Sequence, residues 1–165
     1  MNAFVIDTFE FSRLKERREG ECAVADFDRL TEELADRSGT VRWTLQGGMH
    51  TSGHPQLTLS VGATVQLMCQ RCLVPFPFDV VSESVLVLAK DDAAADEIDA
   101  MLADDSIDVI VGIKAMNMLE LIEDEALLTI PLSPKHAVCP DQVGQDAQTA
   151  SMKRVSPFAV LKNKQ

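Results

Sequence analysis

The sequence predicts an α+β domain in which an antiparallel β-sheet, either open or barrel-like, carries one packed helix. Between residues 41 and 80, apolar residues alternate with polar ones, which is the period of half-buried strands. Short loops separate the alternating segments, so neighbouring strands are expected to run antiparallel. Residues 115–129 instead place apolar side chains three and four apart, the spacing of an amphipathic helix. A chain of 165 residues can bury a core without disulfides or metals.

Short apolar or alternating segments are predicted as strands. Gly62 and Ala63 suit a tight turn between two of them. Pro77 cannot donate a hydrogen bond to a neighbouring strand, so its own strand is expected at a sheet edge. In chain order, the predicted strands are residues 4–6, 41–45, 57–61, 65–69, 76–80, 85–89 and 107–111.

The helix predicted at Ala115–Thr129 is expected to pack on the sheet through Leu119, Ile122 and Leu127. Pro131 ends it, because proline clashes with the preceding helical turn. The opposite, solvent-facing side of this helix is expected to hold Glu120, Glu123 and Asp124.

The domain is expected to comprise residues 1–140. Within it, residues 90–105 are acidic and are predicted as a mobile insertion with one short helix at Ala94–Leu102, because like charges repel and apolar content is low. Residues 141–165 contain few large apolar side chains and are predicted as a flexible tail. That tail ends in a short apolar motif, residues 157–161.

The charge balance argues against proteins that wrap duplex nucleic acid with a basic face, because 26 acidic and 15 basic residues give a net charge of −11. One dense basic cluster is present. It is interpreted either as a phosphate contact or as a solvated helix face interleaved with Glu16 and Glu19. The cluster consists of Arg13, Lys15, Arg17 and Arg18.

A cytoplasmic chain is expected. No apolar run approaches the ~20 residues of a membrane helix, and the first ten residues do not resemble a secretory signal. No phosphate-binding loop, nucleophile elbow or zinc-protease motif is present, so an enzyme is not expected.

Cys69 and Cys72 form a CxxC pair between two predicted strands, where two thiolates in a turn can face one metal ion. His136 and Cys139 repeat the same two-residue gap, and the four side chains would make a Cys3His zinc site. The alternative is that the cysteines are reduced thiols, because Cys69 continues the alternation of core residues. Thioredoxin-type chemistry is disfavoured, since the proline-rich stretch after Cys72 cannot begin a helix.

Three blocks of sequence together resemble the bacterial YceD family, also called the large ribosomal RNA subunit accumulation proteins. They occur in the family's order: a CQRC signature at residues 68–76, an acidic helix followed by a proline- and histidine-containing segment at residues 119–136, and a PFAVL ending at residues 157–161. The resemblance implies a non-enzymatic role in the synthesis, processing or stability of 23S rRNA.

The implied partner is 23S rRNA or its precursor, contacted directly or through a basic ribosomal protein. An acidic body with a slightly basic tail favours the protein partner. A zinc-binding or thiol-dependent enzyme and a generic interaction adaptor are the alternatives. Besides the basic cluster, the candidate partner or RNA contacts are Arg71, Lys153, Arg154, Phe158 and Leu161.

Overall fold

A five-stranded sheet in the order β2–β3–β4–β5–β6 forms the body of the computed structural model, which describes residues 3–140. β2 to β5 pair antiparallel, and β6 pairs parallel to the last five residues of β5. A separate two-stranded ribbon joins β1 to β7. The strands are β1 Val5–Ile6, β2 Arg17–Ala23, β3 Thr40–Met49, β4 Pro55–Met68, β5 Pro75–Ala89, β6 Ile107–Val111 and β7 Met116–Asn117.

The fold is therefore α+β; the barrel-like alternative is not confirmed, and the prediction of a purely antiparallel sheet is wrong. The sheet is open, because its outer strands β2 and β6 do not pair with each other, so no barrel is closed. The sheet is also mixed rather than purely antiparallel, because a helix connects β5 to the parallel strand β6. A parallel neighbour needs such a crossover, which a short turn cannot provide. The helices are α1 Thr8–Arg13, α2 Asp28–Glu32, α3 Asp92–Leu102 and α4 Met118–Thr129.

The predicted mobile insertion at residues 90–105 contains this crossover helix, α3. Ile98 is buried, and with Ala94 and Ala95 it packs on Val87 and Ala89 of β5. Acidic side chains dominate the composition of the segment. One apolar stripe along the helix is nevertheless enough to pack it against the sheet. This contact also explains the continuous apolar run in β5, since that end of the strand is covered on both faces.

The turn predicted at Gly62 and Ala63 is wrong, because both residues lie inside the 14-residue strand β4. Gly62 pairs with Arg42 on one side and with Val81 on the other. The expectation for Pro77 fits the structure, because β6 pairs only with Val85–Ala89 and leaves that end of β5 at an edge.

Helix α4 lies on the opposite face of the sheet from α3. It begins at Met118, three residues later than predicted. Asn117 caps it by accepting a hydrogen bond from the Leu119 N–H, while the residues before it pair with β1. Ile122 is fully buried, as predicted, whereas Leu119 and Leu127 are only half-buried. The helix buries its core side chains at Met118, Ile122 and Ala126.

Ile122→Ala is expected to lower the free energy of unfolding by about 2–5 kcal/mol, because a buried side chain leaves a cavity in a packed core. Chemical denaturation of the full chain measures this. Leu128→Ala on the same helix is the matched control, since Leu128 is 79% exposed and should change stability by no more than ~0.5 kcal/mol. Equal midpoints for the two variants would contradict the assigned helix face.

Glu123 was expected on the solvent side of α4 but is buried. Its carboxylate accepts a hydrogen bond from the Leu30 N–H at 2.9 Å and pairs with the Arg29 guanidinium at 2.9 Å. The N-cap residue of α2, Phe27, offers no side-chain cap, so Glu123 satisfies a free N–H at the start of that helix. A long-range partner of this kind leaves no trace in helical periodicity.

Candidate metal centre

The turn between β4 and β5 brings Cys69 and Cys72 to the same side. The Cys69 N–H donates to the Val74 carbonyl at 3.2 Å, and the Leu73 N–H donates to the Cys69 carbonyl at 2.9 Å. Leu73 has a left-handed backbone with φ of 59°, which reverses the chain within a few residues. Because the chain reverses direction between β4 and β5, the two cysteines of this turn can face the same point and form the first ligand pair.

The second pair lies on the segment that follows α4, which has no regular secondary structure. The Gln70 N–H donates to the Pro134 carbonyl at 2.8 Å and fixes this segment against the CxxC turn. The His136 N–H points at the Cys69 sulfur at 3.5 Å. His136 and Cys139 therefore reach the first pair across more than sixty residues of sequence.

The prediction that these four residues lie close together is confirmed. Their candidate ligand atoms all lie within 4.8 Å of one another. The Cys69 and Cys139 Sγ atoms are 3.7 Å apart, and the Cys72 Sγ is 3.3 Å from the His136 Nδ1. Tetrahedral zinc with ordinary bond lengths places two sulfurs ~3.8 Å apart and a sulfur and a nitrogen ~3.6 Å apart. The spacing of the donor atoms fits one zinc ion.

Hydrogen bonding favours a thiolate at the centre of the cluster. Burial would raise the pKa of the Cys69 thiol, but N–H groups of Cys72, His136 and Arg71 outweigh burial and lower this pKa to about 5. Burial raises the pKa of the Cys72 thiol. Since the thiolate is the form that binds metal, one ligand is already in the binding state near neutral pH.

Two of the three cysteines in the cluster are buried away from solvent. Cys69 is 0% exposed and Cys139 is 1% exposed, while Cys72 and His136 are half-buried. The Phe76 ring covers the His136 imidazole with ring centres 4.8 Å apart. Four protein ligands in a shielded site are typical of structural zinc, whereas catalytic zinc keeps an open position.

Residues 57–163 match the family model described as "Large ribosomal RNA subunit accumulation protein YceD". The chain belongs to the YceD family. The matched range begins in β4, contains all four clustered ligands and extends through the apolar motif at 157–161, so the family predicted from three sequence blocks is confirmed. The searches of curated proteins and of solved structures gave no match.

In this YceD-family chain, the exposed Arg71 side chain also contacts the four-ligand cluster. Its Nε donates to the Cys139 Sγ at 3.1 Å, and its Nη2 donates to the His136 carbonyl at 2.8 Å. The hydrogen bond to Cys139 raises the pKa of the guanidinium. Arg71 was predicted as a candidate RNA or partner contact, and its hydrogen bond to Cys139 was not predicted, because a CQRC motif does not show where the arginine side chain folds.

The basic cluster at residues 13–18 is split between a helix end and a strand, instead of lying along one helix. Lys15 adopts a left-handed backbone with φ of 53° between α1 and β2. The three arginines each face a carboxylate. Their positive charge is therefore partly offset where a phosphate would have to bind. The pairs are Arg13 with Glu10 at 3.6 Å, Arg17 with Glu19 at 2.9 Å and Arg18 with Glu16 at 3.5 Å.

The remaining candidate contacts, Lys153, Arg154, Phe158 and Leu161, lie outside the described residues, as does the predicted flexible tail. Among the helices of residues 3–140, none has the length and apolar character needed to span a membrane.

Proposed function

We propose that this chain is a non-enzymatic factor supporting the synthesis, processing or stability of 23S rRNA, and that its Cys3His cluster holds a structural zinc ion. The family name indicates involvement in the accumulation of large-subunit ribosomal RNA. One observation carries the link between that role and the cluster. The family match includes Cys69, Cys72, His136 and Cys139 together, and these residues meet at one point in space.

The zinc would reinforce a junction between two parts of the chain that already meet through hydrogen bonds from Gln70, Arg71 and His136. One ligand pair belongs to the turn between β4 and β5, and the other lies just before Pro140, where the described residues end. A metal at this point would fix the segment that leads to residue 141. Residues 141–165 contain Lys153, Arg154 and the apolar motif at 157–161.

A basic ribosomal protein is favoured over naked rRNA as the direct partner. Residues 1–140 contain 24 acidic and 11 basic residues, a formal charge of −13, and a charge of this sign attracts basic chains and repels phosphates. The arginines of the cluster at residues 13–18 face carboxylates, which lowers their availability to RNA. The setting would be the cytoplasm, where ribosomes assemble.

A thiol-dependent enzyme is the second candidate, favoured by the lowered pKa of Cys69. Reactive cysteines combine a low pKa with access to substrate, and Cys69 is 0% exposed. Alkylation with iodoacetamide distinguishes a structural zinc site from a thiol-dependent enzyme. A structural site protects Cys69 until a chelator is added, whereas an enzyme nucleophile is modified rapidly in the metal-loaded chain.

Complementation of a strain lacking the gene tests the proposed function. Wild-type protein and Cys22→Ser, which changes a cysteine of β2 outside the cluster, are expected to restore the ratio of 23S to 16S rRNA. Cys69→Ser is expected to restore it poorly. Full restoration by Cys69→Ser would remove the cluster from the function, and an unchanged rRNA ratio in the deletion strain would contradict the function itself.

Crosslinking in cells followed by sequencing of bound RNA distinguishes direct from protein-mediated action. Specific 23S crosslinks to residues 3–140 would contradict the protein partner, and recovery of a basic ribosomal protein without such crosslinks would support it. A generic interaction adaptor would recover neither specific 23S crosslinks nor a basic ribosomal protein.

A further inference from the structure

Arg71 connects the two ligand pairs through its side chain. It lies between Cys69 and Cys72 in sequence, yet its guanidinium reaches Cys139 and the carbonyl of His136, which are 68 and 65 residues away. The Nε–Sγ distance is 3.1 Å and the Nη2–O distance is 2.8 Å. The arginine between the two cysteines of the first pair therefore contacts both a ligand atom and the backbone of the second pair.

The charge of the cluster gives this contact a function. Three thiolates and one neutral histidine around a zinc dication leave one negative charge, and burying an uncompensated charge is costly. Two of the sulfurs are almost completely buried, so water solvates that charge poorly. A guanidinium remains charged at any physiological pH and donates from a rigid planar fork. With zinc bound, Arg71 would offset this charge at the sulfur it contacts.

We propose that Arg71 is a positioning residue of the metal centre, which stabilises the Cys139 thiolate and aligns the second ligand pair with the first. The proposal rests on the proposed zinc site and deepens it. The function of Arg71 differs from that of the ligands, since Arg71 donates hydrogen bonds and does not touch the metal. Charge-assisted hydrogen bonds of this type are about twice as strong as neutral ones.

The test uses the full chain loaded with zinc and a chromophoric chelator that competes for the metal. Arg71→Gln removes the charge but keeps a hydrogen-bond donor, and Arg71→Lys keeps the charge but loses the fork. Arg71→Gln is expected to weaken zinc binding by about tenfold or more, in the range seen for residues that contact ligands. Arg71→Lys is expected to fall between Arg71→Gln and wild type. Arg42→Gln is the matched control for lost charge, because Arg42 is exposed, pairs only with Glu21 at the surface, and lies opposite Gly62, six strand residues before the end of β4 at Met68.

A merely structural contact gives a different pattern. If Arg71 only held the chain segment in place, Arg71→Gln and Arg71→Lys would lower the unfolding midpoints of metal-free and metal-loaded protein alike. A positioning role instead lowers the midpoint of the loaded form more than that of the metal-free form. Cobalt(II) in place of zinc gives a second readout, because a displaced Cys139 weakens the thiolate-to-metal absorption in Arg71→Gln.

The possible results distinguish failure of the Arg71 role from failure of the zinc site itself. If the wild-type chain binds one zinc and Arg71→Gln binds zinc as tightly as Arg42→Gln, the role of Arg71 is overturned and the metal centre remains. A wild-type chain that binds no zinc overturns the metal centre, and the role of Arg71 with it. If Arg71→Gln does not fold, Arg71→Lys decides, since an affinity as high as wild type contradicts the need for the fork.

Discussion

Gly47→Ala is expected to destabilise the chain by at least about 3 kcal/mol, the upper end of the range for overpacked cores. A Cβ at Gly47 would lie 2.3 Å from the Phe11 carbonyl oxygen and 2.8 Å from the Ser12 Cα. Both obstacles are backbone atoms of α1, so no side-chain rotation relieves the clash. Relief requires moving α1 away from β3, which would also break the 2.9 Å hydrogen bond from the Ser12 hydroxyl to the Gln56 carbonyl.

Gly48→Ala provides the matched control one residue away. Its nearest obstacle is the Gln56 Cγ at 4.0 Å, an ordinary contact. Because glycine weakens a strand interior, this variant is expected to match or slightly exceed the wild-type midpoint in urea. Equal loss of stability in both variants would show that α1 does not pack on β3 as described.

The periodicity of the sequence predicted extended segments within β3, β4, β5 and β6, but it did not show which elements cover the faces of those strands. Strands β3 and β4 alternate because one face meets the core and the other meets solvent. The end of β5 lies between the core and α3, so its apolar run does not show which partner covers each face. The helix at residues 94–102 was predicted, but its packing against β5 was not, since its few apolar residues matter only once β5 is beside them.

Local turn signals were reliable only where no long-range pairing competed with them. Gly62 suggests a turn by composition, but pairing with Arg42 on one side and Val81 on the other keeps the backbone extended. Glu123 is charged and would be exposed in an isolated helix, yet Arg29 and the N–H of Leu30 satisfy it in the interior. Such partners lie more than ninety residues away and cannot be predicted from neighbouring residues.

The candidate site was predicted better than the sheet because its chemistry is discrete. Two pairs of ligand residue types with the same spacing predict one centre without knowledge of the path between them. The contact of Arg71 with Cys139 depends on side-chain direction, which spacing does not encode. Arg71 stays a candidate RNA or partner contact, and the structure adds a hydrogen bond from its guanidinium to the Cys139 sulfur.

Removing zinc is expected to free the segment after α4 while leaving the sheet folded. The large buried cluster of apolar side chains in β3, β4, β5 and α4 contains none of the four ligands, so the core should persist in a chelator. Structural zinc stabilises the form that binds it by about 4 kcal/mol when free zinc exceeds its dissociation constant a thousandfold. That stabilisation acts on the segment from Pro131 to Cys139, which lacks helix and strand.

Trypsin measures this release at a single peptide bond. Lys135 is exposed and precedes His136 directly, so cleavage after Lys135 reports whether the segment is held. We expect slow cleavage in the zinc-loaded chain and fast cleavage after chelation or in Cys69→Ser. Cys22→Ser, which leaves the cluster intact, should behave as wild type. Cleavage after Lys114, exposed in the loop before β7, is the internal control and should not depend on metal.

Mass spectrometry of the fragments separates the outcomes, because each lysine gives a different C-terminal end. Faster cleavage after Lys135 alone supports a metal that pins this segment to the CxxC turn. Cleavage at both lysines after chelation would mean that the metal stabilises the whole domain, so the sheet and the cluster unfold together. A rate after Lys135 that is unchanged by chelator, by zinc and by Cys69→Ser would contradict the structural zinc site, since the hydrogen bonds from Gln70 and Arg71 would then suffice to hold the segment.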